Sequence, residues 1–261
     1  MTSLRVFFLG GLISYRALFS WMTPSIFFLI LVVQPVFQIL LFAYIGRAAS
    51  VGSDEFYVVG NAMQYAAVPC LFAMTQTIAG ERYQQTLSYI LISPAGRLPL
   101  FLGRALPVIL NGFLTAAFSL LVGGLILGVT FPTSVFAPLA VVVFVATLSC
   151  TGLGLINAGL GLRVRETSVL SNLLVGILLI FCGANLSVGS LPDWMAAVSS
   201  WLPLTHAIAA AREVVHGSSL TDVQGLLGRE LGVGVIYAVA GLAIIRFFER
   251  QSRRHASLGI A

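Results

Sequence analysis

The side chains able to do covalent or metal chemistry are few in this chain, and they do not group. Cys70, Cys150 and Cys182 each sit inside an apolar run, and His206, His216 and His255 share no ligand spacing with them. That pattern reads as buried thiols packing as small hydrophobes and offers no metal site. Ser149, Ser168 and Ser171 are the nucleophiles a membrane enzyme would draw on, with His206 as base. No nucleophile motif surrounds them, and His206 falls in a separate, more polar segment, so no catalytic residue is assigned. Gly152, Gly154, Gly159 and Gly161 approximate a dinucleotide-binding fingerprint, but the pattern fails at Asn157 and no strand precedes it. Close packing between helices accounts for these glycines better. Asn185-Leu186-Ser187 matches a glycosylation acceptor and reads as coincidence.

What remains is the chemistry of binding and docking. Asn61, Gln64, Asn172 and Asn185 are polar groups in apolar stretches, and each must find a hydrogen-bond partner there, either another helix or a transported molecule. Tyr65, Phe72 and Phe181 are the aromatics that would line the same passage, or else pack between helices or face lipid. The most polar piece between two long apolar runs is Glu81 to Arg104. Tyr83, Leu87, Ile90 and Leu91 make one apolar helical stripe, with Glu81, Arg82, Gln84, Gln85 and Ser88 on the other face. Ser93-Pro94 ends the helix, because the residue before proline is pushed out of the helical region. A short amphipathic helix over 81–93 is a docking element. Arg104, near the start of the next run, reads as a side chain snorkelling to the headgroups.

The elements that must position these residues follow from composition. The chain has 261 residues, 58% hydrophobic and 9% charged, with a mean hydropathy of +1.00. Soluble domains carry about 25% charged residues, so this is an integral membrane protein. All 14 basic residues are arginine. A phosphate-binding loop needs a lysine, so any ATP that powers this chain is expected on another one. Arginine-only usage with abundant Ala, Gly and Leu points to a GC-rich bacterial genome, and the net charge of +5 calls for no nucleic acid.

A spanning helix needs roughly 20 apolar residues, and six runs qualify: 24–45, 57–79, 99–129, 136–162, 169–188 and 231–248. Pro24 opens the first of these, which carries Gln34-Pro35 and Gln38 in its middle. Residues 1–20, with Arg5 and Arg16 around short apolar runs, read as an amphipathic helix on the membrane surface. A signal peptide is disfavoured because Gly10-Gly11 breaks the run and no cleavage site follows. Residues 189–230, with Trp194 and Trp201 and a helical stretch from Leu204 to Val215, read as helices tucked into the outer leaflet. With a cytoplasmic N-terminus, eleven arginines lie inside and three (Arg47, Arg212, Arg229) outside. Both termini and the 81–93 helix are therefore expected on the cytoplasmic side of a bacterial inner membrane.

Two patches carry a family resemblance. Glu81-Arg82-x-x-x-Thr86-Leu87, then Ser93-Pro94 and Leu102-Gly103-Arg104, resembles the cytoplasmic loop of type-2 ABC exporter permeases. Leu191-Pro192-x-Trp194, Leu202-Pro203-Leu204-Thr205 and Ala211-Arg212 resemble that family's segment before its last helix. The chain departs from the family pattern at Gln85 and Ser88, where a glycine and an acid are usual. The resemblance implies one all-α permease domain over 1–261, with six transmembrane helices, the amphipathic N-terminal helix, a coupling helix between spans 2 and 3, and external re-entrant helices before span 6. It further implies pairing with a second permease copy or paralogue and with two P-loop ATPase subunits that carry ATP and Mg. No cofactor is expected on this chain.

On that resemblance Glu81, Arg82, Tyr83, Thr86, Leu87, Tyr89, Pro94 and Arg97 are the ATPase-coupling residues. Asn61, Gln64, Tyr65, Phe72, Asn172, Phe181 and Asn185 are the substrate path, since spans 2 and 5 line the passage in this family. The expected activity is ATP-driven export of an amphipathic or hydrophobic molecule (a drug, as in multidrug resistance, an antibiotic or a lipid-linked compound). The alternative is an ion-coupled secondary transporter, disfavoured because the acids sit at span ends or in loops and no inverted repeat is visible.

Overall fold

The computed structural model describes residues 33–83, 97–161, 163–164 and 166–255, together with Gly11 and Leu29. Apart from those two residues, the surface helix expected over 1–20 and the start of the first span at Pro24 lie outside the described residues. So do Thr86, Leu87, Tyr89 and Pro94 of the expected coupling helix. Of Glu81, Arg82, Tyr83 and Arg97 the backbone alone is described.

The fold is all-α, with no strand among the described residues. Helix α1 (Gln34–Ala49) carries Pro35 in its first turn, where a missing N–H costs nothing, and ends at Ser50 in a left-handed conformation. Helix α2 (Asp54–Gln64) starts on a Ser53 side chain that accepts from Phe56 N–H, with Asp54 and Glu55 placed against the positive end of the helix. After a turn at Tyr65 and Ala66, α3 (Ala67–Tyr83) continues in the same direction. Helix α4 (Arg97–Leu127) has Pro107 in its interior, and α5 (Phe136–Gly161) follows a turn with Gly128 at φ 72. Then come α6 (Thr167–Phe181), the short α7 (Asp193–Ser199), α8 (Thr205–Val215) and the long α9 (Gln224–His255).

Four stretches among the described residues are long and apolar enough to cross a membrane: Asp54–Thr77, Gly103–Leu127, Thr133–Gly161 and Gln224–Phe248. The remaining two expected spans are 24–45, of which α1 is the described part, and 169–188, which begins in α6. Helix α6 stops at Phe181 rather than at 188. Its 15 residues rise about 22 Å, short of the roughly 30 Å hydrocarbon core. The last span, expected from 231, starts at Gln224.

Two further differences from the sequence reading matter. Span 2 is not one helix over 57–79 but two, because Pro69 has no N–H to give the Tyr65 carbonyl and its ring crowds that group. The helix resumes at Ala67 and then runs without a break through Glu81, Arg82 and Tyr83. The polar stretch after span 2 therefore begins as a continuation of that span.

Helix α5 is the centre of the bundle, buried on most of its sides. The packing sets the directions of its neighbours. Thr75 reaches Asn157, and Cys70 reaches Thr147 and Thr151, so α3 runs parallel to α5. A Cβ on Gly152 would lie 2.5 Å from Gly234 O, and one on Gly159 would lie 2.8 Å from Ile244, so α9 is parallel too. Helix α4 is antiparallel to span 2, with Arg104 donating to Thr77 O at one end and Gly123 against Ile39 and Val58 at the other. That bond ties Arg104 to a neighbouring helix, where the sequence suggested snorkelling alone. Arg104, Arg163 and Arg246 gather at the end where Arg163 bonds Gln251 and covers the Phe248 ring. The Arg47–Asp54 ion pair and α8 mark the opposite end.

The seam between α5 and α9 gives a direct test. A Cβ at Gly234 would sit 2.7 Å from Ser149 Cα, whereas one at Gly232 meets nothing within 4 Å. Gly234→Val is expected to cost about 1–3 kcal/mol by overpacking and to lower the melting temperature in detergent. Gly232→Val leaves it unchanged.

Candidate functional site

Among the described residues, the side-chain amides that bond between elements inside the bundle collect into two nodes, both where span 2 meets the segment around α6. The node nearer the α8 end of the bundle, termed outer for the end expected to face away from the cytoplasm, joins three elements. Gln38 Nε2 on α1 donates to Asn61 Oδ1 and Gln64 Oε1 on α2, each at 3.0 Å. Asn61 Nδ2 donates to Tyr57 O at 3.0 Å and to Asn185 Oδ1 at 2.9 Å. Asn61 is 0% and Gln64 1% exposed, so these amides have no water to fall back on. Gly60 lets the backbones come that close, since any Cβ there would collide with Ala184 O. Asn185 lies in the bend after α6, opened by Gly183 at φ 83, a region that suits glycine.

The inner node is built the same way. Asn157 on α5 donates through Nδ2 to Thr75 Oγ1 on α3 at 2.8 Å and to Ser171 Oγ on α6 at 2.7 Å. Both hydroxyls pass their own proton to a backbone carbonyl one turn earlier, Leu71 O and Thr167 O. The two nodes thus stitch span 2 to α6 near its two ends.

The expected substrate-path residues divide on this geometry. Asn61, Gln64 and Asn185 meet in one network. Tyr65 is buried at the break in span 2, and Phe72 is half-buried on α3. Phe181 closes α6 with an edge-on contact to Trp194, centroids 6.3 Å apart. Asn172 stands apart: it is exposed and bonds Ser168 O within its own helix. The sequence reading singled out neither Asn157 nor Gln38 as a site residue. Both are amides in apolar helices, the signal that marked the others.

Two charged residues brace the outer end. Arg212 on α8 donates from Nη2 to Phe56 O at 3.3 Å and Ala184 O at 3.0 Å, with its guanidinium carbon 3.5 Å from the Phe56 ring centroid. It holds the start of α2 against the bend next to Asn185, and burial pushes its pKa down to about 10. Glu230 was unforeseen. The sequence reading placed it at the end of the external segment, but it is 0% exposed inside α9. Its carboxylate accepts from Leu204 N at 2.8 Å and Ala207 N at 3.2 Å, capping α8, which has no cap of its own. The available signal is its place on the α9 stripe with Leu227, Val233 and Gly234. An acid there must be buried.

Glu230→Ala leaves two buried N–H groups without an acceptor, at about 1–3 kcal/mol each. It is expected to lower the melting temperature strongly, while Arg229→Ala, one residue away and exposed, does not. A double-mutant cycle over Asn61→Leu and Asn185→Leu is expected to return about 0.6–1.7 kcal/mol of coupling, the range for hydrogen bonds between membrane helices.

The sequence model of the ABC-2 type transporter family matches residues 10–216. No curated protein matches the chain. The match takes in both amide nodes, the break in span 2 and Arg212. A multi-pass helical bundle with such a match over most of its length has one reading: the chain belongs to the ABC-2 type transporter family and is a membrane permease subunit of an ABC transporter.

Proposed function

We propose that this permease works as one half of an ATP-driven exporter in a bacterial inner membrane, moving an amphipathic or hydrophobic molecule outward. The observation that carries the reading is the unbroken helix α3. It leads from Glu81–Tyr83, the start of the segment resembling the coupling helix, to the break beneath Gln64 and Asn61. Seventeen helical residues make a lever of about 25 Å. A push on its Glu81–Tyr83 end, from ATPase subunits closing on ATP and Mg, arrives at the outer amide node. Rigid-body transmission of this kind needs a stiff element, and α3 is one.

The other parts follow the same reading. The ATP sites belong to partner chains, since this sequence holds no lysine for a phosphate loop. The arginine-rich end with Arg104, Arg163 and Arg246 faces the cytoplasm, with both termini there. A second copy or a close relative completes the passage along span 2 and α6. The low charge of the bundle suits a drug, an antibiotic or a lipid-linked compound better than a free ion.

An ion-coupled transporter would draw on Glu230, the buried acid of α9. Both of its oxygens are engaged by the α8 amides, which makes it a cap rather than a carrier.

Purification of the full chain in mild detergent, with mass spectrometry of what accompanies it, tests the proposal. A stoichiometric P-loop ATPase is expected, lost when Glu81 and Tyr89 are both changed to alanine. Glu81→Ala alone is expected to lower ATP-driven transport at an unchanged level of membrane-inserted protein. A chain that purifies alone and transports down an ion gradient in ATP-free vesicles would overturn it.

A further inference from the structure

The two amide nodes have opposite open ends. At the outer node the orientation of every amide is set by one backbone group. Tyr57 O can only accept, so Asn61 must turn Nδ2 toward it. Asn61 Oδ1 then takes the Gln38 proton, and Asn185 must present Oδ1 to Asn61. What is left over is Asn185 Nδ2, a buried donor with no partner. At the inner node Thr75 and Ser171 spend their protons on backbone carbonyls and receive from Asn157 Nδ2. The leftover there is Asn157 Oδ1, a buried acceptor with no donor. The reverse orientation of Asn157 would bury two unpaired N–H bonds in place of one bare carbonyl oxygen, which is worse. An unpartnered buried amide atom is costly, and two of them flank the same seam between span 2 and the α6 segment.

We infer that the transported compound is uncharged and carries hydroxyl groups, which donate to Asn157 Oδ1 at the inner node and accept from Asn185 Nδ2 at the outer one. This rests on the permease-of-an-exporter reading and narrows its substrate class. A hydroxyl does both jobs with one group. A quaternary ammonium can do neither, and an ether answers Asn185 alone. Both atoms are enclosed in this structure, so the compound meets them as span 2 and α6 part. The inner node is then the site of entry and the outer node the site of departure.

The test is equilibrium binding of three tritiated probes with one chain length to the full chain in lipid nanodiscs: 1-O-dodecylglycerol, its di-O-methyl ether and dodecyltrimethylammonium. Dodecylglycerol is expected to bind saturably, with the other two weaker by about tenfold, the worth of one or two buried hydrogen bonds. Asn157→Leu is expected to remove most of the preference over the ether, and Asn185→Leu to weaken the glycerol and the ether alike, so that both lose ground to the ammonium while their own order stands. Asn185→Asp keeps the shape and the bond from Asn61 but puts a negative charge where the free donor was; a hydroxyl can still donate to it, but the charge attracts the ammonium, which should overtake the glycerol. A residue that merely holds helices together would not reverse the order.

No saturable dodecylglycerol binding, equal binding of the three probes, or an order untouched by Asn185→Asp would overturn the inference and leave the nodes as hydrated structural contacts. The exporter reading is decided separately. A complex that carries its ATPase yet selects the ammonium sinks this inference alone. A chain with no ATPase that selects dodecylglycerol sinks the exporter reading and leaves the amide selectivity standing.

Discussion

Inside a bilayer a polar group has no water to return to, and most of this structure is an answer to that shortage. Backbone groups are satisfied by helices, which is why the described fold contains nothing else of regular form. Where proline removes a donor at Pro69, the helix breaks for two residues and begins again. Where side chains bring polar atoms in, they cluster: amides with amides at Gln38, Asn61, Gln64 and Asn185, and an amide with hydroxyls at Asn157, Thr75 and Ser171. The charged groups obey the same rule. Arg212 lies on an aromatic face and two carbonyls, and Glu230 lies on the bare amides of a helix start.

The same rule explains how far the sequence could be read. Membrane class, an all-helical fold and most of the spans follow from composition and run length alone, because the hydrocarbon core imposes a fixed length on anything that crosses it. The polar residues of the spans also stand out, since each is an exception to an apolar run. Their partners do not. Asn61 and Asn185 are 124 residues apart, and Asn157 and Thr75 are 82 apart, so no local pattern joins them. The broken span was within reach, because Pro69 sits in plain view, but hydropathy ignores hydrogen bonds and reads the stretch as continuous. Glu230 was hidden by a boundary drawn a few residues late: counted in the external loop it is an ordinary acid, and counted on the α9 stripe it is a buried one. Asn172 went the other way, an amide whose need is met within its own turn and which reaches no other helix.

The outer brace shows how few bonds connect the parts. Helix α8 is held at its start by a carboxylate from α9 and, two turns later, reaches through Arg212 to the beginnings and ends of other helices. Leu204, in the left-handed region at φ 75, turns the chain so that its own N–H faces Glu230. That conformation is unfavourable for a branched side chain and is maintained by the bonds around it. The amide bend at Asn185 thus depends on a residue of the last span through two intermediate contacts.

The glycine seam has a different consequence. Along Gly152, Gly234 and Gly241, α5 and α9 come close enough for backbone to meet backbone, and at Gly159 the Ile244 and Ile245 side chains fill the space a Cβ would need. Two rods joined that closely bend as one beam, and a beam of double thickness resists bending far more than either rod alone. In machine terms a pair built this way suits a stator. Helices α1 and α2 and the bend after α6 are tied in by separate side-chain contacts instead: the amide node, Arg212, and Ile39 and Val58 against Gly123.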